Sequence, residues 1–102
     1  MLSMVLYVFC SKEYGNRKLS GTYQVLSRKG RYGEDVYVNK VSNMFIYKIR
    51  NNIYVIGSRI GSASFRAYLK SSSLFTKAWN VIQSGRKLIE DVEMYVKDLT
   101  DD

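Results

Sequence analysis

The chain contains no histidine, no proline and a single cysteine, Cys10. Without histidine there is no imidazole base for a serine or cysteine nucleophile, and a tetrahedral zinc site lacks its usual ligands. A lone cysteine excludes an intramolecular disulfide, which accords with a reducing compartment and slightly favours a cytoplasmic location. Also missing is the run of about 20 apolar residues that a membrane-spanning helix needs. The opening MLSMVLYVFC is apolar, but no basic stretch precedes it and Ser11-Lys12-Glu13 follows at once. It reads as a buried first strand rather than a signal peptide.

Phosphate-binding loops are absent too. No Gly-Lys-Ser or Gly-Lys-Thr occurs, and the nearest approach to a dinucleotide fingerprint is IYVIGSRIGS at 53–62. Laid from Gly57, the second and third glycine positions fall on Arg59 and Ser62, where side chains would occupy the space of the pyrophosphate. No acid stands about 20 residues further on to hold a ribose. The stretch reads as a strand followed by a glycine and serine loop. No cofactor, metal or catalytic residue is expected, and the chain reads as a non-enzyme.

What is present is tyrosine, nine in 102 residues, in a composition that is 46% hydrophobic and 25% charged. Tyrosine suits a half-buried strand, where its ring packs on the sheet and its hydroxyl reaches water. Apolar and aromatic runs of strand length recur at 5–10, 22–26, 36–38, 44–49, 53–56 and 65–69. Turn compositions separate them, including Tyr14-Gly15-Asn16 and Asn51-Asn52. In MFIYKIRNNIYVIG two such runs flank Asn51-Asn52, predicting a hairpin with Phe45, Tyr47 and Ile49 on one face and Ile46, Lys48 and Arg50 on the other.

From Leu74 onward the pattern is double. Leu74, Ala78, Val81 and Ile82 begin a helical stripe, whereas Trp79-Asn80-Val81 and Val92 to Val96 alternate.

Charge is divided unevenly. Residues 1–89 hold fifteen Lys or Arg against three acids, and residues 90–102 hold one Lys against six acids. A basic body with an acidic end attracts nucleic acid or an acidic surface, or folds the end back on itself. Arg28, Lys29, Arg31 and Tyr32, then Lys48 and Arg50, interleave cations with aromatics, and Arg59 adds another cation. These seven residues form the candidate binding surface, where phosphates could meet cations while bases stack on rings. Glu34-Asp35 and Glu90-Asp91 read as solvated turn acids. Trp79 reads as a core anchor, with ligand stacking as the alternative.

In order, Ser20-Gly21-Thr22-Tyr23, Val36-Tyr37-Val38-Asn39, Phe45-Ile46-Tyr47, Ile53-Tyr54-Val55-Ile56-Gly57, Ala67-Tyr68-Leu69-Lys70, Trp79-Asn80-Val81 and a closing Val92 to Val96 run resemble a small aromatic β module. That module recurs in large uncharacterised proteins of protists and marine invertebrates. Its pattern runs Ser-Gly-x-Tyr, Val-Tyr, Leu-Tyr, Trp-x-Ile-Gly and a late Trp-x-Val, and this chain carries Tyr54 where the module has tryptophan. The resemblance implies an all-β fold and one unit of a repeat architecture, and assigns no functional residues.

The expected fold is therefore a single all-β antiparallel domain over 1–98, a sandwich or partly open barrel of six to eight strands, with an acidic tail at 99–102. The alternative is a β-meander with one C-terminal helix from about residue 74. The expected function is an interaction module for a protein, glycan or other acidic partner. Alternatives are a module for RNA or single-stranded nucleic acid and, least favoured, an acid-dependent hydrolase. Self-association through edge strands is a further expectation.

Overall fold

The structure, a computed structural model, describes residues 4–13, 18–77, 79–83 and 87–100. Its elements are nine strands: β1 (Val5–Phe9), β2 (Gly21–Lys29), β3 (Asp35–Asn39), β4 (Met44–Arg50), β5 (Ile53–Gly57), β6 (Ala67–Lys70), β7 (Trp79–Gln83), β8 (Lys87–Asp91) and β9 (Tyr95–Asp98). All pair antiparallel in one sheet of order β8-β7-β6-β5-β4-β3-β2-β1-β9. The first eight strands form a continuous meander. β9 then returns to the far edge and pairs with β1, Val8 opposite Val96.

That last step dictates the shape. Laid flat, a sheet of this order would hold its outer strands about 38 Å apart, eight spacings of about 4.8 Å. Residues 92–94, which join β8 to β9, span at most about 14 Å between their flanking residues. The sheet must therefore curl until its two edges approach each other, and the result is a partly open barrel rather than a two-sheet sandwich. The strand count is nine, above the six to eight expected, because the C-terminal third contributes three strands.

Among the described residues no helix follows Leu74. Residues 71–77 form a loop, and the period-two pattern prevails in β7, where Trp79 and Val81 are fully buried and Asn80 between them is not. Trp79 is thus core, and a role as an exposed stacking platform is excluded. Among the described residues no helix is long and apolar enough to cross a membrane. Tyr14-Gly15-Asn16, Ala78, Ser84-Gly85 and the tail's Asp101 and Asp102 lie outside the described residues.

Alternation along the strands sends one set of side chains inward and one outward. The inner face carries the main core, including Leu6, Val8, Tyr23, Ile46, Ile56 and Trp79, all fully buried. Each buried aliphatic among them contributes about 1.5–3 kcal/mol relative to exposure. Tyr23 satisfies its hydroxyl by donating to the Leu19 carbonyl at 2.7 Å.

The outer face of β3, β4 and β5 has its own small core of Val36, Tyr47 and Val55. It is covered by the β5–β6 loop, whose Ile60 and Phe65 pack there while the Tyr47 hydroxyl donates to the Ser62 carbonyl at 2.7 Å. The glycines of the 53–62 stretch serve this loop. Gly61 takes φ +84°, and Gly57 leaves room for close approach, since a Cβ there would lie 2.8 Å from the Tyr47 hydroxyl.

Asn51-Asn52 forms the predicted hairpin turn, with a difference. Neither asparagine adopts positive φ, and the extra twist comes from a bulge: Arg50 pairs Ile53, Lys48 pairs Tyr54, and Ile49 is left between. An unbroken ladder would have set Lys48 opposite Val55. The bulge also separates the residues expected on one face. Lys48 shares the inner face with Tyr54, whereas Arg50 shares the outer face with Ile53.

Candidate functional site

The β2–β3 turn (30–34), the β4–β5 turn and the 71–77 loop gather at one end of neighbouring strands, because Lys29 pairs Asp35 and Ile53 pairs Lys70. Between them lies an open cleft of about 540 Å³, lined by Lys29, Tyr32, Tyr37, Lys48, Tyr54 and Phe75 together with Glu34 and Asp35. Tyr32 and Phe75 stand on its rim, 42% and 45% exposed, where rings of that size are available to a partner.

Glu34 organises this end. Its carboxylate accepts from the N–H of Tyr32 at 2.9 Å and of Lys48 at 2.8 Å, while Gly30 N–H donates to its carbonyl at 2.9 Å. The Tyr32 hydroxyl then donates to the Ile49 carbonyl at 3.0 Å, tying the turn to the bulge of β4. The rim ring is therefore held in place rather than free. Glu34 is not a solvated turn acid.

The charges inside the cleft largely cancel. Lys29 forms an ion pair with Asp35, both half-exposed, a pairing worth about 0–1 kcal/mol. The Lys48 ammonium lies 4.9 Å from the centroid of the Tyr54 ring, a cation–π contact. Burial, with smaller contributions from Asp35, Tyr54 and Asp98, pushes the Tyr37 phenol up to about 12, and its hydroxyl donates to Met4 Sδ at 3.2 Å in the cleft wall.

The seven candidate surface residues separate accordingly. Lys29, Tyr32 and Lys48 line the cleft, and Arg31 precedes Tyr32 in the same turn. Arg28 and Arg50 sit at the same strand ends but face outward by alternation and by the bulge, respectively. Arg59 lies in the β5–β6 loop, at the other end of β5, and does not join them.

Groups that could carry chemistry are tied up elsewhere. Cys10 is buried, and burial above all pushes its thiol up to about 12, leaving no thiolate at neutral pH. Asp91 is fully buried, a correction to its reading as a solvated turn acid. Its carboxylate accepts from Ser11 N–H at 2.8 Å, Ser11 hydroxyl at 2.6 Å, Lys12 N–H at 3.0 Å and Glu93 N–H at 3.1 Å. Burial alone would raise its pKa, but the hydroxyl and N–H donors outweigh burial and hold it below the ordinary aspartate range. Among the described residues no three His, Cys, Asp or Glu side chains converge on a metal-sized space.

Sequence reading missed Tyr54 and Phe75 in the cleft. The cross-strand signal for Tyr54 was hidden by the bulge, and Phe75 sits in a loop whose path no local pattern reveals. Comparison with family models, curated proteins and solved structures finds no match to this chain. Function is thus to be argued from the geometry.

Proposed function

We propose that the chain is a non-enzymatic interaction module that takes an extended acidic partner, a protein segment or glycan, across the end bearing the β2–β3 turn. The observation that supports this is the pairing of two exposed rim rings, Phe75 and the anchored Tyr32, with flanking cations that have no ion-pair partner among the described residues. Inside the cleft Lys29 is paired with Asp35 and the Lys48 ammonium lies over the Tyr54 ring, so contact there is chiefly with rings and hydrogen-bonding groups. Arg28, Arg31 and Arg50 supply the long-range attraction. The engagement of Cys10 and Asp91 supports a binding role over a chemical one.

RNA or single-stranded nucleic acid is the second reading, favoured by the rim rings, since base stacking on an aromatic contributes about 1–3 kcal/mol. The two readings separate in one experiment. The full chain is titrated with a labelled poly-glutamate peptide and with a mixed single-stranded RNA and DNA pool at low and moderate salt. The acidic-partner reading expects salt-dependent binding of the peptide that weakens in Arg28→Ala, Arg31→Ala and Arg50→Ala. The nucleic-acid reading expects a salt slope that drops by about one per lost phosphate contact, with a further loss in Tyr32→Ala. No binding of either probe at low salt would overturn both.

The two edges bear on the resemblance to a repeat unit. Among the described residues β8 pairs only with β7 and β9 only with β1, so each presents one unpaired row of backbone groups. Such edges suit pairing between copies or between successive units of an array, a reading that sedimentation at increasing concentration tests.

A further inference from the structure

β8 ends one side of the sheet, and the ladder behind it fixes which of its backbone groups face the open edge. Ile82 N–H donates to the Arg66 carbonyl at 2.8 Å, so Ile82 and Asn80 turn their backbone groups toward β6. By alternation Trp79, Val81 and Gln83 turn theirs toward Asp91, Ile89 and Lys87, their partners in β8. Among the described residues the N–H and C=O groups of Leu88 and Glu90 therefore point out from the edge without a partner. β8 pairs with β7 over five residues without a bulge, and the chain has no proline to blunt the edge.

Apolar side chains lead to the same place. On the outer face Leu88 stands directly across from Ile82, which lines a shallow depression with Ala63 and Phe65 of the β5–β6 loop. The stripe of Phe65, Ile82 and Leu88 runs to the edge and stops there, with Leu88 49% exposed. A chain of net charge +7 repels its own copies over most of its surface. Along β8 that repulsion is small, because Lys87 is set against Glu90 and the buried Asp91.

A second copy of the chain answers both features. Turned about a two-fold axis perpendicular to the sheet, its β8 runs antiparallel to the first, and its outward groups again belong to residues with side chains on the outer face. With the axis at Leu88, the two Leu88 residues exchange both backbone hydrogen bonds, their Cα atoms about 5.5 Å apart. The apolar stripe then continues into the second copy. On the inner face Lys87 of each copy comes opposite the half-buried Ile89 of the other, where its stem covers apolar surface. Pairing β8 with β9 of another copy does not work this way. Leu99 N–H donates to the Val5 carbonyl, so the outward groups on β9 are those of Val96 and Asp98, whose side chains face inward beside Val8 and Leu6. Such a pair would join the inner face of one copy to the outer face of the next.

We infer that the chain forms a two-fold dimer through antiparallel β8–β8 pairing centred on Leu88. This dimer rests on the reading that sheet edges pair between copies, and it assigns the edge, the symmetry and the register. It is independent of the Tyr32–Phe75 cleft.

The test combines sedimentation equilibrium of the full chain with disulfide trapping. The parent should pass from monomer to dimer, and no further, as concentration rises into the high micromolar range, because one strand pair buries less than the standard interface of about 800 Å² per partner. Leu88→Lys sets like charges across the axis and should weaken the dimer about tenfold. Under mild oxidation Leu88→Cys should give a disulfide-linked dimer, its Cα separation being suitable. Glu90→Cys, about 14 Å from its own copy in this register, and Leu99→Cys, on the other edge, should not. An independent reading needs no substitution: amide exchange at Leu88 and Glu90 should slow as concentration rises, while that at Ile89, already bonded to β7, stays level. A monomer at every concentration up to about millimolar would overturn the dimer and the edge reading together. Cross-linking through Leu99→Cys or Glu90→Cys instead of Leu88→Cys, or growth beyond the dimer, would overturn the β8–β8 pair and leave edge pairing standing.

Discussion

Asp91 and Ser11 join the two ends of the sheet: a carboxylate on the last residue of β8 receives both the N–H and the hydroxyl of the residue that follows Cys10, at 2.8 and 2.6 Å. β8 is one edge and β1 lies one strand in from the other. The buried Asp91 side chain thus helps to fasten the curl, with the three-residue link to β9 beside it. Replacing Asp91 by Ala removes the shared acceptor of the Ser11, Lys12 and Glu93 N–H groups and of the Ser11 hydroxyl, and a hydrogen bond to a charged group contributes about 1.5–3 kcal/mol. The expected loss for Asp91→Ala is about 3–5 kcal/mol, of the kind seen for breaking a buried network. Urea unfolding measures it, and a midpoint within error of the parent would refute the closure role.

The same carboxylate makes stability depend on acid. Its pKa is lowered in the folded chain, so its contribution is fully present above the unfolded aspartate value of about 3.9. As pH falls through that value toward the folded one, the unfolded chain takes up the proton first and the contribution is lost. Thermal unfolding scans should therefore be level near neutrality and decline below about pH 4. Asp91→Asn should start lower and decline less steeply. Asp98, lowered by hydrogen bonds from the Thr100 hydroxyl and N–H, adds a separate slope that Asp98→Asn isolates. An Asp91→Asn profile parallel to the parent would remove Asp91 as the source.

Much of this was open to reading in the chain itself. The all-β class followed from runs of β-branched and aromatic residues, and the hairpin at Asn51-Asn52 from two such runs meeting at a turn. The position of Arg50 was hidden, because one bulged residue, Ile49, reverses the face of everything after it. Asp91 was hidden for a different reason. Its acidic pair with Glu90 looks like any exposed turn, and the partners that bury it stand 80 positions away in sequence. Arg59 was grouped with the other cations by composition, yet its loop folds back over Tyr47 at the opposite end of β5. Local pattern identifies elements, and long-range closure decides which of their residues meet.

Cys10 offers a chemical reporter of that closure. Its thiol is 5% exposed, pushed up to about 12 chiefly by burial, and donates to Asp91 at 3.6 Å. A thiol-reactive chromophore at mildly alkaline pH should label the native chain only as fast as it opens. Labelling should accelerate in Asp91→Ala by more than in a distant variant of equal instability. Rapid labelling of the parent chain would show that the β8 corner is not closed in solution.

Tyr47 and Gly57 test the outer core in the same spirit. The Tyr47 hydroxyl donates to Ser62, and the loop backbone crosses so near Gly57 that an added Cβ would lie 3.2 Å from the Ser64 carbonyl and 3.3 Å from Phe65 Cα. Tyr47→Phe removes one hydrogen bond and leaves the half-buried Ser62 carbonyl without that donor, for a loss of about 1–2 kcal/mol. Gly57→Ala must push backbone rather than a flexible side chain, so its cost is expected at about 1–3 kcal/mol despite the strand-compatible φ of this glycine. Because both act through the same loop, the double variant should lose less than the two single losses combined. Strict additivity in urea unfolding would mean that the loop does not couple them, and that the cover over Val36 and Val55 is held by Ile60 and Phe65 alone.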